Sequence, residues 1–515
     1  MHTPRVAIIG AGIGGLAAAV DLAGQGLAVT MLERAAAPGG KMREVTVGDA
    51  RIDAGPTVFT MRWVFEALFD DAGASLADYV TLTPVEVLAR HAWSERDRLD
   101  LFADIDRSAD AIGAFAGAAE ARGYRQFCDR ARRIYQTLEA PFMRAQRPTP
   151  LSLIARAGLR ETTRIMPFTT MWRALGEDFR DPRLRQLFGR YATYCGSSPF
   201  LAPATLMLIA HAEREGVWLV EGGMHRIAAA LATLATARGA AFRYGAEATE
   251  IITAGGRASG VRLADGETLD ADAVVANADV AALAGGLFGQ PAADAVPPVA
   301  RAERSLSAIT WALTGATSGF PLLRHNVFFS ADYPAEFEAL FRQARLPDAP
   351  TVYVCAQDRD DHDTSPGDGP ERLLCLVNAP PTGDRHPFTA TEIAPCEERT
   401  FGLLQRCGLT IRRRPETTVR TTPAEFARLF PATGGALYGQ ATHGAMASFR
   451  RPGSRTKLPG LYLAGGSAHP GAGVPMAALS GRMAAASLRA DLASKDLDST
   501  SRSPRTATPG GTSTR

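Results

Sequence analysis

The sequence predicts an α/β fold: a Rossmann-type dinucleotide-binding domain, built on a βαβ unit, with a mixed α+β domain inserted into it. Three observations predict this. The chain opens on Val6-Ala7-Ile8-Ile9-Gly10-Ala11-Gly12-Ile13-Gly14-Gly15, an apolar run that breaks into glycines, with Glu33 one short strand later. A second glycine segment, Leu461-Tyr462-Leu463-Ala464-Gly465-Gly466-Ser467-Ala468-His469-Pro470-Gly471-Ala472-Gly473, lies near the other end. The chain of 515 residues between and around them exceeds one compact domain. A dinucleotide held by both ends of so long a chain points to flavin rather than nicotinamide.

Arg5 to Ile9 reads as a buried strand, Gly14 to Gln25 as a helix and Leu27 to Leu32 as the second strand, with Gly26 at the helix exit. Pro38-Gly39-Gly40-Lys41 breaks this pattern, and Asp53-Ala54-Gly55-Pro56-Thr57 is a second turn before a helix over Trp63 to Ala72. From Ala103 to Ala210 the chain reads as helical. Tyr124, Phe127, Ala131, Ile134 and Leu138 recur at helical spacing, with Arg125, Arg130, Arg132 and Arg133 between them. Strand patterns return at Ala241 to Tyr244, Glu247 to Ala254, Ala258 to Leu263 and Ala273 to Ala276. The stretch 301–411 alternates strands with turns, and Leu461 to Ala464 is a last buried strand before a helix from Val474. These patterns assign 1–85, 215–300 and 415–493 to a discontinuous cofactor domain. They assign 86–214 and 301–414 to a substrate and membrane-contact domain. The Ser-, Thr-, Pro- and Gly-rich residues 494–515 read as a disordered tail.

Composition excludes several classes. The formal net charge of +2 gives no electrostatic support for nucleic-acid binding. The six cysteines are scattered and form no Cys-x-x-Cys pair, so no metal site is expected, and free thiols in a reducing, cytoplasmic setting are. No apolar run reaches the roughly 18 residues of a membrane-spanning helix. The apolar N-terminus continues as strand, helix and strand, which argues against a signal peptide.

Each residue of the first motif has a physical task. Gly10 makes the tight turn out of the strand, Gly12 lets backbone N–H groups approach a pyrophosphate, and Gly15 lets the helix pack on the sheet. The helix N-terminus, with Ala11, Ile13 and Gly14, faces the phosphate charge. Glu33, followed by Arg34, stands where a carboxylate accepts hydrogen bonds from ribose hydroxyls and repels a 2′-phosphate. Gly40 and Lys41 add backbone and a cation, and Gly55, Pro56 and Thr57 bring a rigid turn close to the cofactor. Glu221-Gly222-Gly223-Met224 suggests another such approach. Gly465, Gly466 and Gly473 clear side chains from a flat ring. The helix that opens at Val474 and Pro475 points its positive end at that ring.

Taken together, these motifs, with His469-Pro470-Gly471-Ala472-Gly473-Val474-Pro475, resemble those of the bacterial carotenoid desaturases, FAD-dependent enzymes of the phytoene-desaturase type. The resemblance spans all but the tail. Tyr191 to Phe200, continuing to His211, resembles one branch, the 1-hydroxycarotenoid 3,4-desaturases of purple bacteria. It implies FAD in a glutathione-reductase-like domain, a carotenoid substrate, and removal of a hydride and a proton from neighbouring carbons. A tunnel lined by Phe168, Met171, Trp172, Phe188, Tyr191, Tyr194, Phe200, Met207 and Trp218 is expected. His211, Glu213, His225 and His469 are candidate proton acceptors, and His469 leads as the catalytic residue because its motif belongs beside the flavin. The arginine-rich helix from Arg122 to Leu138 suggests peripheral docking on the inner membrane. Oxygen or a quinone is expected to reoxidise the flavin. A phytoene desaturase, an amine-oxidase-like flavoenzyme and a non-catalytic carotenoid carrier are the competing readings.

Overall fold

The computed structural model describes residues 3–361 and 369–501, and side chains only as far as 494. Arg5–Ile9 is the middle strand of a five-stranded parallel sheet. Ala28–Glu33 and then Ala241–Tyr244 lie on one side of it; Ala273–Ala276 and then Leu461–Leu463 lie on the other. Every pairing is parallel, so all five carboxyl ends share one edge. Segments from the beginning, middle and end of the chain thus converge there.

Ile13–Gly24 follows the first strand and packs against Val474–Ser501 and His225–Ala237. The first pair cross with their backbones touching, because a side chain on Gly481 would run into the carbonyl of Gly14. The C-terminal helix carries the chain past residue 494, where composition predicts disorder to begin. Extending an established helix is far easier than nucleating one, which is the reason for the difference. Residues 502–515 lie outside the described residues.

The second sheet is mostly antiparallel and belongs to the inserted domain. Its order is Thr410–Arg412, Ser307–Ser318, Glu371–Ala379, Val352–Ala356, His325–Phe328, Val87–Ala92 and Arg98–Phe102. Val87–Ala92 pairs with His325–Phe328, so this sheet takes strands from both 86–214 and 301–414. Thr418–Thr421 also pairs with Ser307–Ser318, so the sheet continues beyond the expected division at 414/415.

The helical stretch begins with Ile105–Ala116 and Ala118–Leu138. The latter buries Tyr124, Phe127, Ala131, Ile134 and Leu138, the stripe its spacing predicts. Its arginines are largely engaged within the protein. Arg130 meets Glu177 at 2.9 Å and Asp178 at 3.0 Å, while Arg125 pairs with Asp106 and Arg132 with Asp129. At its end a wide turn, Glu139–Met143, carries Pro141, whose missing N–H cannot continue the helix. Among the described residues, no helix is long and apolar enough to cross a membrane.

Candidate active site

One cavity of about 940 Å³ runs from the carboxyl edge of the parallel sheet into the inserted domain. Its cofactor end is made mostly of backbone. Gly10 turns the chain at φ 92°, a conformation side chains disfavour. The helix Ile13–Gly24 starts at Gly12 with no side-chain cap, so its first N–H groups remain available to an anion. Gly10, Gly12, Ile13 and Gly14 line the cavity, whereas Ala11 and Gly15 do not. The Ala11 N–H donates to Glu33 Oε2 at 2.7 Å, and Gly15 has no room for a side chain beneath the carbonyl of Gly10.

Glu33 is buried at the cavity wall, with Oε1 taking the Ala35 N–H at 2.8 Å. Two backbone donors thus fix the carboxylate and leave it lone pairs for ribose hydroxyls. Arg34 lines the cavity beside it and donates to the carbonyls of Arg428, at 3.1 Å, and Leu429. Gly39 donates to the Ala11 carbonyl at 2.8 Å and brings Gly40 against Gly12. The Lys41 ammonium donates to the Leu437 carbonyl at 2.7 Å, and burial lowers its pKa despite Asp279 at 4.0 Å.

Gly55, Pro56 and Thr57 line the cavity next to Lys41, whose carbonyl occupies the space a Gly55 side chain would need. Beyond the carboxyl end of Leu461–Leu463 come Gly465, Gly466, Gly473, Val474 and Pro475. A side chain on Gly14 would stand 2.7 Å from both Gly465 N and Asn277 Oδ1, so the two glycine segments touch. Asn277 also donates to the Gly10 carbonyl at 3.0 Å. Asn277 and Asp279 line the cavity and were missed as site residues. Their position at the carboxyl end of a parallel strand was the available signal.

The Glu221-Gly222-Gly223-Met224 turn lies elsewhere. The Asp53 carboxylate accepts the N–H groups of Met224, at 2.7 Å, and His225, at 3.2 Å, capping His225–Ala237. Gly223 leaves room for that carboxylate, whose pKa burial raises. Helix capping, not approach to a cofactor, explains this motif. The remaining cradle fits FAD: side chains are excluded where a pyrophosphate would lie, a fixed carboxylate could accept ribose hydroxyls, and a second cleared turn would leave room for the ring.

The far end of the cavity is made of side chains. Leu206, Leu208 and Ile209 come from the helical stretch, and Leu374 and Leu376 from the second sheet. Leu374, Leu376 and Asn378 alternate along one face of Glu371–Ala379, while Leu373, Cys375 and Val377 pack in a core on the other. Both faces are apolar, so sequence pattern could not tell wall from core. Of the nine residues expected in the tunnel, Tyr194 alone lines it. Phe168 is 88 % exposed, and Met171, Phe188, Tyr191 and Met207 are buried in the core. Trp172 packs on Phe200 and Trp218 on Phe59. Aromatic side chains bury the most surface, and most here are used to pack helices together.

The candidate proton acceptors separate clearly. His469 does not line the cavity. It is buried behind it, its Nε2–H donating to the Phe142 carbonyl at 3.0 Å, and burial brings its pKa down to about 4. His211 packs on Tyr135 and bonds to Arg214 at 2.8 Å; burial lowers its pKa too. His225 Nε2–H donates to the Pro38 carbonyl at 2.9 Å. Glu213 is the one candidate of the four that lines the cavity. Its carboxylate accepts the Tyr194 hydroxyl at 2.6 Å and the Tyr191 hydroxyl. His469, expected to lead, thus stands behind the cavity wall while Glu213 stands on it: proximity in sequence to a glycine turn does not set the direction of a side chain.

Comparison with known proteins agrees with this geometry. The flavin containing amine oxidoreductase family matches residues 13–489. The chain is 57% identical over 519 residues to the hydroxyneurosporene desaturase of Rubrivivax gelatinosus, covering 100% of this chain and 98% of that protein. It is 49% identical to the hydroxyneurosporene desaturase of Cereibacter sphaeroides, covering 96% of this chain and 99% of that one. The fold is that of cyclohexylamine oxidase from Brevibacterium oxydans, with TM-score 0.54, 16% identity, and 96% and 100% of the two chains covered. This chain belongs to the FAD-dependent flavin containing amine oxidoreductase family, within the branch of the hydroxyneurosporene desaturases.

Proposed function

We propose that this chain desaturates carbons 3 and 4 of 1-hydroxy acyclic carotenoids with bound FAD. The supporting observation is the single cavity that joins a dinucleotide cradle to an apolar wall of Leu206, Ile209, Leu374 and Leu376. A long hydrocarbon matches such a wall. FAD, when bound, supplies the hydride acceptor. Two hydrogens must leave neighbouring carbons, one as hydride from allylic carbon 4 and one as a proton from carbon 3.

The chain's task is alignment and removal of the proton. Glu213 is assigned as its acceptor, because it faces the cavity and two tyrosine hydroxyls fix its carboxylate. Product analysis with purified, FAD-loaded protein tests the reading. Conversion of 1-hydroxyneurosporene to a 3,4-desaturated product is expected. Conversion of phytoene with 1-hydroxyneurosporene untouched supports a phytoene desaturase. Oxidation of an amine with neither carotenoid altered supports the amine-oxidase reading. Anaerobic turnover with and without a quinone separates that electron acceptor from oxygen.

Lipid delivery fits a different surface from the arginine helix first considered. Pro150–Ala157 and Leu159–Arg164 expose Leu151 at 80 % and Leu159 at 64 %, with Phe168 just beyond. Residues 144–173 hold six arginines against the single acid Glu161. Leu153, Ile165 and Pro167 of the same segment line the cavity, so this segment forms part of its wall. Apolar side chains among cations suit the surface of an anionic bilayer. Changing Leu151, Leu159 and Phe168 to Ser is expected to abolish flotation with anionic liposomes, and unchanged flotation removes this face from the proposal.

A further inference from the structure

The desaturase reading leaves open how an apolar cavity recognises the oxygen on carbon 1. That carbon lies two carbons from the one that loses the proton, so whatever holds the oxygen must stand beside the proton acceptor. Besides the two tyrosine hydroxyls that hold Glu213, a guanidinium stands one hydrogen bond further along the wall. Arg190 lines the same cavity, and its Nη1 donates to the Tyr194 hydroxyl at 3.3 Å, the hydroxyl that donates in turn to Glu213 at 2.6 Å. One tyrosine therefore ties a guanidinium and a carboxylate together on the wall.

Arg190 has unspent hydrogen-bonding capacity. Its link to Tyr194 is the sole side-chain hydrogen bond of its guanidinium among the described residues, and its Nε is buried without a partner. A guanidinium carries five N–H donors and no acceptor. The Tyr191 and Tyr194 rings lie 5.7 and 5.2 Å from its carbon, which steadies the cation without using those donors. A hydrocarbon end group would leave the donors unanswered, whereas an ether or hydroxyl oxygen accepts from them.

We infer that Arg190 is the specificity-determining residue, donating a hydrogen bond to the oxygen on carbon 1 and thereby setting carbon 3 against Glu213. This inference rests on the desaturase reading. It makes a chemical distinction: a donor-only group needs the lone pair of the substrate oxygen and not its proton. A methyl ether at carbon 1 is then recognised as the alcohol is, and the 1-deoxy polyene is not.

The test measures kcat/KM of FAD-loaded protein on three polyenes that differ only at carbon 1: alcohol, methyl ether and deoxy. The wild-type protein is expected to prefer both oxygenated substrates by ten- to a hundredfold, the range of one hydrogen bond to a charged group. In Arg190→Met the ratio of alcohol to deoxy is expected to fall to about one, mainly through KM. A ratio unchanged in Arg190→Met, with all three substrates slowed alike, overturns the inference and makes Arg190 structural. If the variant does not fold, the wild-type comparison still decides. Preference for the alcohol with the ether treated like the deoxy compound assigns recognition to an acceptor, and equal use of all three abolishes the anchor. Failure of the wild-type protein to convert any of the three overturns the desaturase reading instead.

Discussion

The cavity's two ends are built from different materials. Around Gly10–Gly14 and Gly465–Gly473 the wall is main chain, and its shape depends on side chains being absent. Around Leu206–Ile209 and Leu374–Leu376 the wall is side chain, supplied by elements that pair with distant partners. A backbone wall is stiff and intolerant of added atoms. A side-chain wall tolerates exchange of one apolar group for another, but not the arrival of a polar one. Polar groups interrupt the second wall, Arg190, Tyr194, Glu213 and Asn378 among them.

Substitutions can break this contrast, beginning with the cradle. Gly14→Val puts branched carbons where Gly465 N and Asn277 Oδ1 already stand. FAD affinity is expected to fall at least roughly a hundredfold, about 2.8 kcal/mol. Titration of the apoprotein by flavin fluorescence checks this, with circular dichroism to confirm folding. On the opposite wall, Glu213→Gln is expected to keep FAD and lose turnover by roughly 10²-fold, the lower range for a general base. Turnover close to wild type would falsify the assignment of Glu213.

A smaller effect is expected from Leu376→Gln, which sets an amide on the apolar wall of the cavity. Turnover should drop roughly tenfold, with FAD affinity unchanged, since removing the amide from water without a partner costs about 1–3 kcal/mol. Equal losses of flavin and turnover would mean that the two ends of the cavity are not separable.

The smallest change in activity is expected at His469, and it sharpens the contrast between lining and supporting residues. His469→Asn should keep turnover within threefold, because the side chain faces the Phe142 carbonyl and not the cavity. Its effect belongs to stability. The folded pKa of about 4 lies below the ordinary value of 6.5, so between these pH values the unfolded chain binds a proton that the folded chain refuses. Stability is therefore present above pH 6.5 and is lost as pH falls towards 4. At pH 5 the loss from this group alone is about 2 kcal/mol. Urea unfolding of His469→Asn at pH 7.5 and pH 5 should show a shallower decline than wild type, and an equal decline would assign the acid sensitivity to other buried groups. His91 and His443 share this direction, at about 3 and about 4, again through burial.

The cradle was legible in the sequence because its requirements are local. A strand ending in Gly10-x-Gly12-x-x-Gly15, with Glu33 at the end of the next strand, needs only contiguous residues and a standard βαβ unit. The lining of the far, side-chain end was not legible. Phe168, Trp172 and Phe200 had the right chemistry but lie outside the cavity, whereas Leu374 and Leu376 occupy an apolar strand whose two faces look alike.

By itself the sequence determined the cofactor class, the parallel strand that carries it and the need for two distant segments to meet. Backbone turns write those instructions in glycine and proline. Tertiary structure alone decided which apolar face became wall and which became core, and that Glu213 rather than His469 faces the cavity. The reason is that a side chain's direction is set by what packs behind it, and those neighbours belong to other elements: Tyr191 and Tyr194 for Glu213, and Phe142, 327 residues away, for His469.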